Sequence, residues 1–186
     1  MLTNAEPAAS TVDLTARFDA LFERLYPGLF GLTYRVLGDQ LEAEDVLQEA
    51  FLRLTDAPIL ARPDDEVAAW LRRVCLNFSA NRRRDAYRAR QRLERVGRLD
   101  LADASATSSG PAAEAERREA QAEVRRALAC LPERQRDCLL LRHSGYSYTE
   151  IAATLEVAVG SVGVLLARAE RAFRAAYEER RHDDLS

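Results

Sequence analysis

Residues 147–171 read SYTEIAATLEVAVGSVGVLLARAER, and this stretch decides the fold. Ser147 followed three residues on by Glu150 is a capping box: each side chain satisfies the other's free backbone N–H, so a helix starts here. Ile151, Ala152 and Leu155 give that helix an apolar face. A tight connection spans residues 156–159. Gly160 and Ser161 then open a longer helix, with Val162, Leu166, Ala169, Phe173 and Tyr177 at helical spacing. A short helix, a tight turn and a second helix form the helix-turn-helix pattern, whose second helix can lay its first residues against base edges in the major groove. An ordinary helical hairpin shares the pattern, so the motif alone leaves DNA binding open.

N-terminal to this stretch, helical periodicity starts near Ala115 and includes Val124, Leu128 and Leu131 before Pro132 breaks it. The run Cys138–Leu141 that follows is too long for one helix face and is expected at the centre of a second core. Residues 97–111 are rich in Asp, Ala, Ser, Thr and Gly, the composition of a flexible acidic linker. Before it, a first helix is expected from Asp13 to Leu25, with Phe18, Leu21, Phe22 and Leu25 on one face. A second starts at Pro27 and ends near Gly38. Asp39 caps a third, whose stripe is Ala43, Leu47, Ala50, Phe51 and Leu54. Pro58 and Pro63 place a loop over residues 55–65. Asp64 or Asp65 caps a fourth, with Val67, Leu71, Val74 and Phe78 facing a core. The expectation is an all-α chain of two small domains, residues 12–96 and 115–181, joined by a linker over 97–114. The C-terminal domain is the helix-turn-helix.

Composition narrows the function classes. With 47% hydrophobic and 31% charged residues, the chain is globular rather than disordered. No apolar run approaches the roughly 20 residues of a membrane span. Residues 1–11 lack the apolar centre of a signal peptide, so a cytoplasmic location is expected. Cys75, Cys130 and Cys138 are odd in number and lack C-x-x-C spacing, so they are expected as small buried apolar groups rather than a disulfide framework.

The net charge of −3 conceals an asymmetry: residues 70–98 carry ten Arg against Asp85 and Glu94. All 27 basic residues are Arg, so the choice of Arg over Lys carries no information about contact geometry. At 100° per residue, Trp70, Arg73, Asn77, Asn81, Arg84 and Arg88 share an arc of about 80°. Guanidiniums and amides can meet phosphates and base edges, and an aromatic ring can support an unstacked base. The set suits DNA whose strands are separating; Trp70 by itself suits the edge of a core. On the third helix, Asp45, Gln48, Glu49 and Leu52 share an outward face. Carboxylates can bind metal or move protons, but His143 and His182 are the only histidines in the chain. A protein-binding face is therefore expected there, with no catalysis, metal, cofactor or small-molecule substrate.

Three stretches together resemble one family. GDQLEAEDVLQEAFLRL (38–54) is similar to the polymerase-binding helix of the extracytoplasmic-function sigma factors. WLRRVCLNFSANRRR (70–84) is similar to their minus-ten recognition and melting helix. LPERQRDCLLLRHSGYSYTEIAATLEVAVGSVGVLLARAER (131–171) is similar to their minus-thirty-five-binding domain. The resemblance covers most of residues 13–178 and implies a cytoplasmic bacterial protein that binds core RNA polymerase and promoter DNA. It implies no enzymatic activity and no membrane insertion, and a partner anti-sigma factor. By position, Asp45, Gln48 and Glu49 would dock on the polymerase clamp. Trp70, Arg73, Asn77, Asn81 and Arg84 would meet the minus-ten element. Tyr148, Thr149, Ser161, Val164, Leu165, Arg168 and Arg171 would meet the minus-thirty-five element. The loop Pro58–Glu66 matches one that captures a flipped base, and the acidic linker one that threads toward the active-site cleft.

One departure stands out. Where the family's recognition helix usually reads like GTVKSRLHRAR, residues 160–170 read GSVGVLLARAE. Gly163, Leu165 and Glu170 occupy expected basic positions, and Val164 and Leu165 are expected on the outer face. Each lost phosphate contact lowers the salt slope of binding by about 0.9, so weak or unusual upstream recognition is expected. Two rival readings use the same residues. One is a stand-alone dimeric helix-turn-helix regulator, and the other is a helical metal protein or enzyme built on the Asp39–Glu49 carboxylates.

Overall fold

The computed structural model describes residues 8–95 and 113–183. The expected linker lies outside them, except for its last two residues. Every long element described is helical: α1 (Ala8–Leu37), α2 (Gln40–Thr55), α3 (Asp64–Arg95), α4 (Ala113–Ala129), α5 (Glu133–His143), α6 (Tyr148–Leu155) and α7 (Val159–Asp183). A 3-10 turn over Pro58–Ala61 sits inside the expected loop.

α1 corrects one expectation, since it runs unbroken through Pro27 where two helices were anticipated. An interior proline costs a helix about 3 kcal/mol. Packing across the break offsets it. Phe22, Tyr26 and Phe30 follow one another at centroid distances of 5.1 and 6.2 Å, and Leu21, Leu29 and Leu32 are buried on the same helix. Gly38, at φ +76°, ends α1 in the left-handed conformation and donates its N–H to Tyr34 O at 2.7 Å.

α2 forms as expected. The Asp39 carboxylate accepts from Glu42 N at 2.9 Å, and the whole anticipated stripe is buried, with Val46 added. α3 starts differently. The Pro63 carbonyl accepts from Val67 N, and Asp64 and Asp65 are its first helical residues. The Asp64 carboxylate instead accepts from Arg17 at 2.8 Å and Arg24 at 2.7 Å, tying α3 to α1.

One core lies among α1, α2 and α3, with Leu21, Leu47, Leu54, Val67 and Leu71 at its centre. The second includes Leu128, Leu139, Leu141, Ile151, Val162 and Leu166, but also Leu32, Val36 and Leu76 from α1 and α3. This explains the long apolar run. All of Cys138–Leu141 are buried because α6 and α7 pack on α5 and α1 of the N-terminal half covers it as well. Burial lifts the Cys75 thiol to about 12, and burial with nearby Asp137 lifts Cys138 to about 11. Cys130 departs from expectation by being exposed. Among the described residues, no single helix is long and apolar enough to cross a membrane.

Candidate nucleic-acid and protein-binding faces

The capping box at the start of α6 is complete. Ser147 N donates to Glu150 Oε2 at 2.9 Å, and Glu150 N donates to Ser147 Oγ at 3.3 Å. Burial alone would raise the Glu150 pKa, but the Ser147 bonds and the nearby Arg72 charge outweigh it and hold it low. Glu156, in the left-handed conformation at φ 54°, turns the chain, and Val157 N returns to Ala152 O at 3.0 Å. α6 and α7 are thereby set at 90°, within the helix-turn-helix range.

Tyr148, Thr149, Ser161, Val164, Arg168 and Arg171 are all exposed on this unit. Leu165 corrects the expectation of an outer-face residue: it is partly buried against the second core beside Leu166. Space for a larger side chain is free along the leading turns of α7. A Cβ at Gly160 would touch nothing within 4 Å, and one at Gly163 would reach only Tyr148 Cε2 at 3.9 Å.

On α3, Asn77, Asn81, Arg84 and Arg88 are exposed in one strip. Trp70 is half-buried and packs against the first core. Arg73 sits in the expected arc but faces protein. Its Nε donates to Thr154 O at 3.0 Å, its Nη2 donates to Ala153 O at 3.2 Å, and its Nη1 pairs with the Glu156 carboxylate.

Arg72 makes a contact that no local sequence signal singled out. It is only 4% exposed, donates from Nε to Thr154 Oγ1 at 2.9 Å, and lies 4.8 Å from the centre of the Tyr146 ring. Burial pulls its pKa down, while Tyr146 and Glu150 pull it back up. Further along α3, Arg82 bridges to α2, reaching Glu42 at 3.3 Å and Glu49 at 3.9 Å.

Asp45, Gln48 and Glu49 are exposed on α2, together with Leu41 at 71% and Leu52 at 61%. Large apolar side chains bared among carboxylates suit a protein partner better than water. A cleft of about 330 Å³ lined by Phe18, Phe22, Tyr26, Gln48, Phe51 and Leu52 adjoins them. Among the described residues, no group of three His, Cys, Asp or Glu could hold a metal ion.

Residues 21–92 match the family model "Sigma-70 region 2", and residues 121–173 match "Sigma-70, region 4". The chain is 31% identical over 166 residues to the RNA polymerase sigma-H factor of Pseudomonas aeruginosa, covering 87% of this chain and 86% of that protein. It is 34% identical over 148 residues to the probable ECF RNA polymerase sigma factor SigI of Mycobacterium tuberculosis, covering 77% of this chain and 49% of that longer protein. Among solved structures, the sigma factor RpoE in complex with the anti-sigma factor NepR from Bartonella quintana matches at a TM-score of 0.49 and 20% identity. The match covers 87% of this chain and 96% of that one.

Proposed function

The chain belongs to the sigma-70 family of RNA polymerase sigma factors, in its extracytoplasmic-function group, and from that premise we propose how its faces divide the work. It is a transcription initiation factor that binds core RNA polymerase and directs it to promoter DNA. Sigma factors are not known enzymes, and we infer that this chain turns over no substrate and works in the cytoplasm, where polymerase is.

Residues 12–96 form the domain that engages polymerase and the minus-ten element. Asp45, Gln48 and Glu49 dock on the polymerase, with Leu41 and Leu52 supplying apolar contact. Asn77, Asn81, Arg84 and Arg73 take the minus-ten strand, the amides reading base edges and the guanidiniums holding phosphate. Trp70 supports this face from the core. Residues 115–181 place Tyr148, Thr149, Ser161, Val164, Arg168 and Arg171 against the upstream duplex. Few cations line the leading turns of α7, so this contact is weak in phosphate and shallow in salt dependence. An anti-sigma factor holds the protein until a signal releases it.

One observation carries the reading: the exposed strip Asn77–Asn81–Arg84–Arg88 on α3 lies on the helix next to the α2 carboxylate face. A single small domain can thus grip protein with one helix and DNA with the next. Gel filtration with core polymerase tests it. Co-elution is expected for the wild type and for N77A/N81A, and loss of co-elution for Asp45→Arg/Glu49→Arg. Co-elution that survives that double reversal would defeat the assignment of the face.

A further inference from the structure

The leading turns of α7 carry no charge where a recognition helix meets base edges. From Val159 to Ala167 the helix has no ionisable side chain, and Ser161 is its only polar one. At 100° per residue, Gly160, Ser161, Val164, Ala167, Arg168 and Arg171 share an arc of about 120°. All six are exposed, while Val162, Leu166 and Ala169 are buried on the opposite side. Val164 lies at the middle of the arc and is 54% exposed. Tyr148, 43% exposed, sits beside it, since a Cβ added at Gly163 would reach its ring edge at 3.9 Å. Cations border this apolar centre. The Arg142 guanidinium lies 5.7 Å from the centre of the Tyr148 ring, and Arg168 and Arg171 follow Val164 one and two turns along the helix. Glu170, the acid between them in sequence, points away from the arc, about 120° from Val164.

Resting on the upstream-duplex reading above, we propose that Val164 is a specificity-determining residue that reads the C5 methyl group of thymine in the major groove of the upstream element. The floor of that groove shows donors, acceptors and one apolar group, the thymine methyl. Choosing among donors and acceptors takes amide, carboxylate or guanidinium side chains, and the arc has none ahead of Arg168. The Ser161 hydroxyl both donates and accepts, so it fits any base pair and selects none. What remains is the bare branched side chain of Val164, and seating it on a methyl group removes apolar surface of both from water. Arg142, Arg168 and Arg171 hold phosphates at the rim, which fixes register without choosing a base. The same rim argues against a protein partner: the apolar patch is small, and three guanidiniums around it match a phosphate backbone.

Polymerase loaded with the full chain tests this on DNA. The pool is randomised upstream of a minus-ten element taken from a start site that the protein uses. Retained duplexes are expected to share thymine at one fixed position. The selected duplex is then made with deoxyuridine there, which removes the methyl and leaves every hydrogen-bonding group in place. Wild type should bind the deoxyuridine duplex about fourfold more weakly. That factor should hold across a salt series, because a methyl contact releases no counterions. Val164→Ala, an exposed change to a better helix former, should bind the two duplexes equally. Arg168→Ala should weaken both alike. Equal binding of the two duplexes by wild type, a deoxyuridine loss that Val164→Ala retains, or a shared base pair without thymine would overturn the assignment. Weaker assembly of Val164→Ala with polymerase in the absence of DNA would also overturn it, in favour of a protein partner. A retained pool with no upstream preference, start sites still being used, would overturn the upstream-duplex reading and this inference with it.

Discussion

The Arg72 guanidinium lies 4.8 Å from the centre of the Tyr146 ring, a cation of the first domain set over an aromatic ring of the second. The pair is desolvated, so it is worth more than a surface contact. Losing the stacking and the Thr154 bond together should cost about 2 kcal/mol. Arg72→Ala is expected to lower Tm by about 6 °C and to split one calorimetric transition into two, as the domains stop unfolding together. Arg72→Lys should not restore it, because an ammonium cannot stack flat and bond sideways at once. A single sharp transition at the wild-type Tm would show that the contact contributes nothing.

Gly163 holds a position where the resembling family's recognition helix usually carries a cation. Its added Cβ meets nothing closer than 3.9 Å, so a long side chain fits without repacking. Gly163→Arg should steepen the salt dependence of binding to upstream duplex by about 0.9 in slope. Gly163→Ala should leave the slope alone and stabilise the helix by up to about 1 kcal/mol. Filter binding across a salt series distinguishes the two. An unchanged slope for Gly163→Arg would place this face away from the phosphates.

Acid sensitivity should include a share from Glu150, beside Asp64, whose carboxyl Arg24 and Arg17 also hold low. The Glu150 pKa is held below the ordinary carboxyl value, so its contribution to stability is complete above that value and is lost as pH falls through the folded one. Denaturant midpoints measured from pH 6 down to pH 3 should fall for the wild type. Glu150→Gln should start lower, by about 1 kcal/mol, and fall less steeply. Parallel curves for the two proteins would remove Glu150 from the account.

Thiol chemistry checks the shared core. Cys75 is held up to about 12 and Cys138 to about 11, so neither forms the reactive thiolate near neutral pH, whereas Cys130 is exposed. Intact mass after brief alkylation at pH 8 should show one adduct, on Cys130, and three adducts after denaturation. Rapid labelling of Cys138 would mean that α5 is not covered by α1, α6 and α7.

Local signals were legible in the sequence. The Asp39 cap, the α2 stripe and the Ser147–Glu150 box depend on neighbours three or four residues away, and the structure has them as read. What failed depends on distant packing. Pro27 breaks an isolated helix, but aromatic contacts on both sides of it carry α1 through. Asp64 has the chemistry of a cap, yet Arg17 and Arg24, 47 and 40 residues away, claim its carboxylate. Arg72 could not be read because Thr154 is 82 residues further on. Its only trace was indirect: a run of four apolar residues at 138–141 that no single face could bury. Position by analogy puts Leu165 outward, but it leans inward and packs against the second core.

Run-off transcription on fragmented genomic DNA of the source bacterium, with purified core polymerase, tests the central claim most directly. Defined transcripts should appear only when the protein is added, and Asp45→Arg/Glu49→Arg should reduce them at least about tenfold, while loss of the exposed Arg82–Glu49 pair lowers Tm by no more than a few degrees. Absence of any protein-dependent start site, or full activity in the reversed variant, would contradict the account.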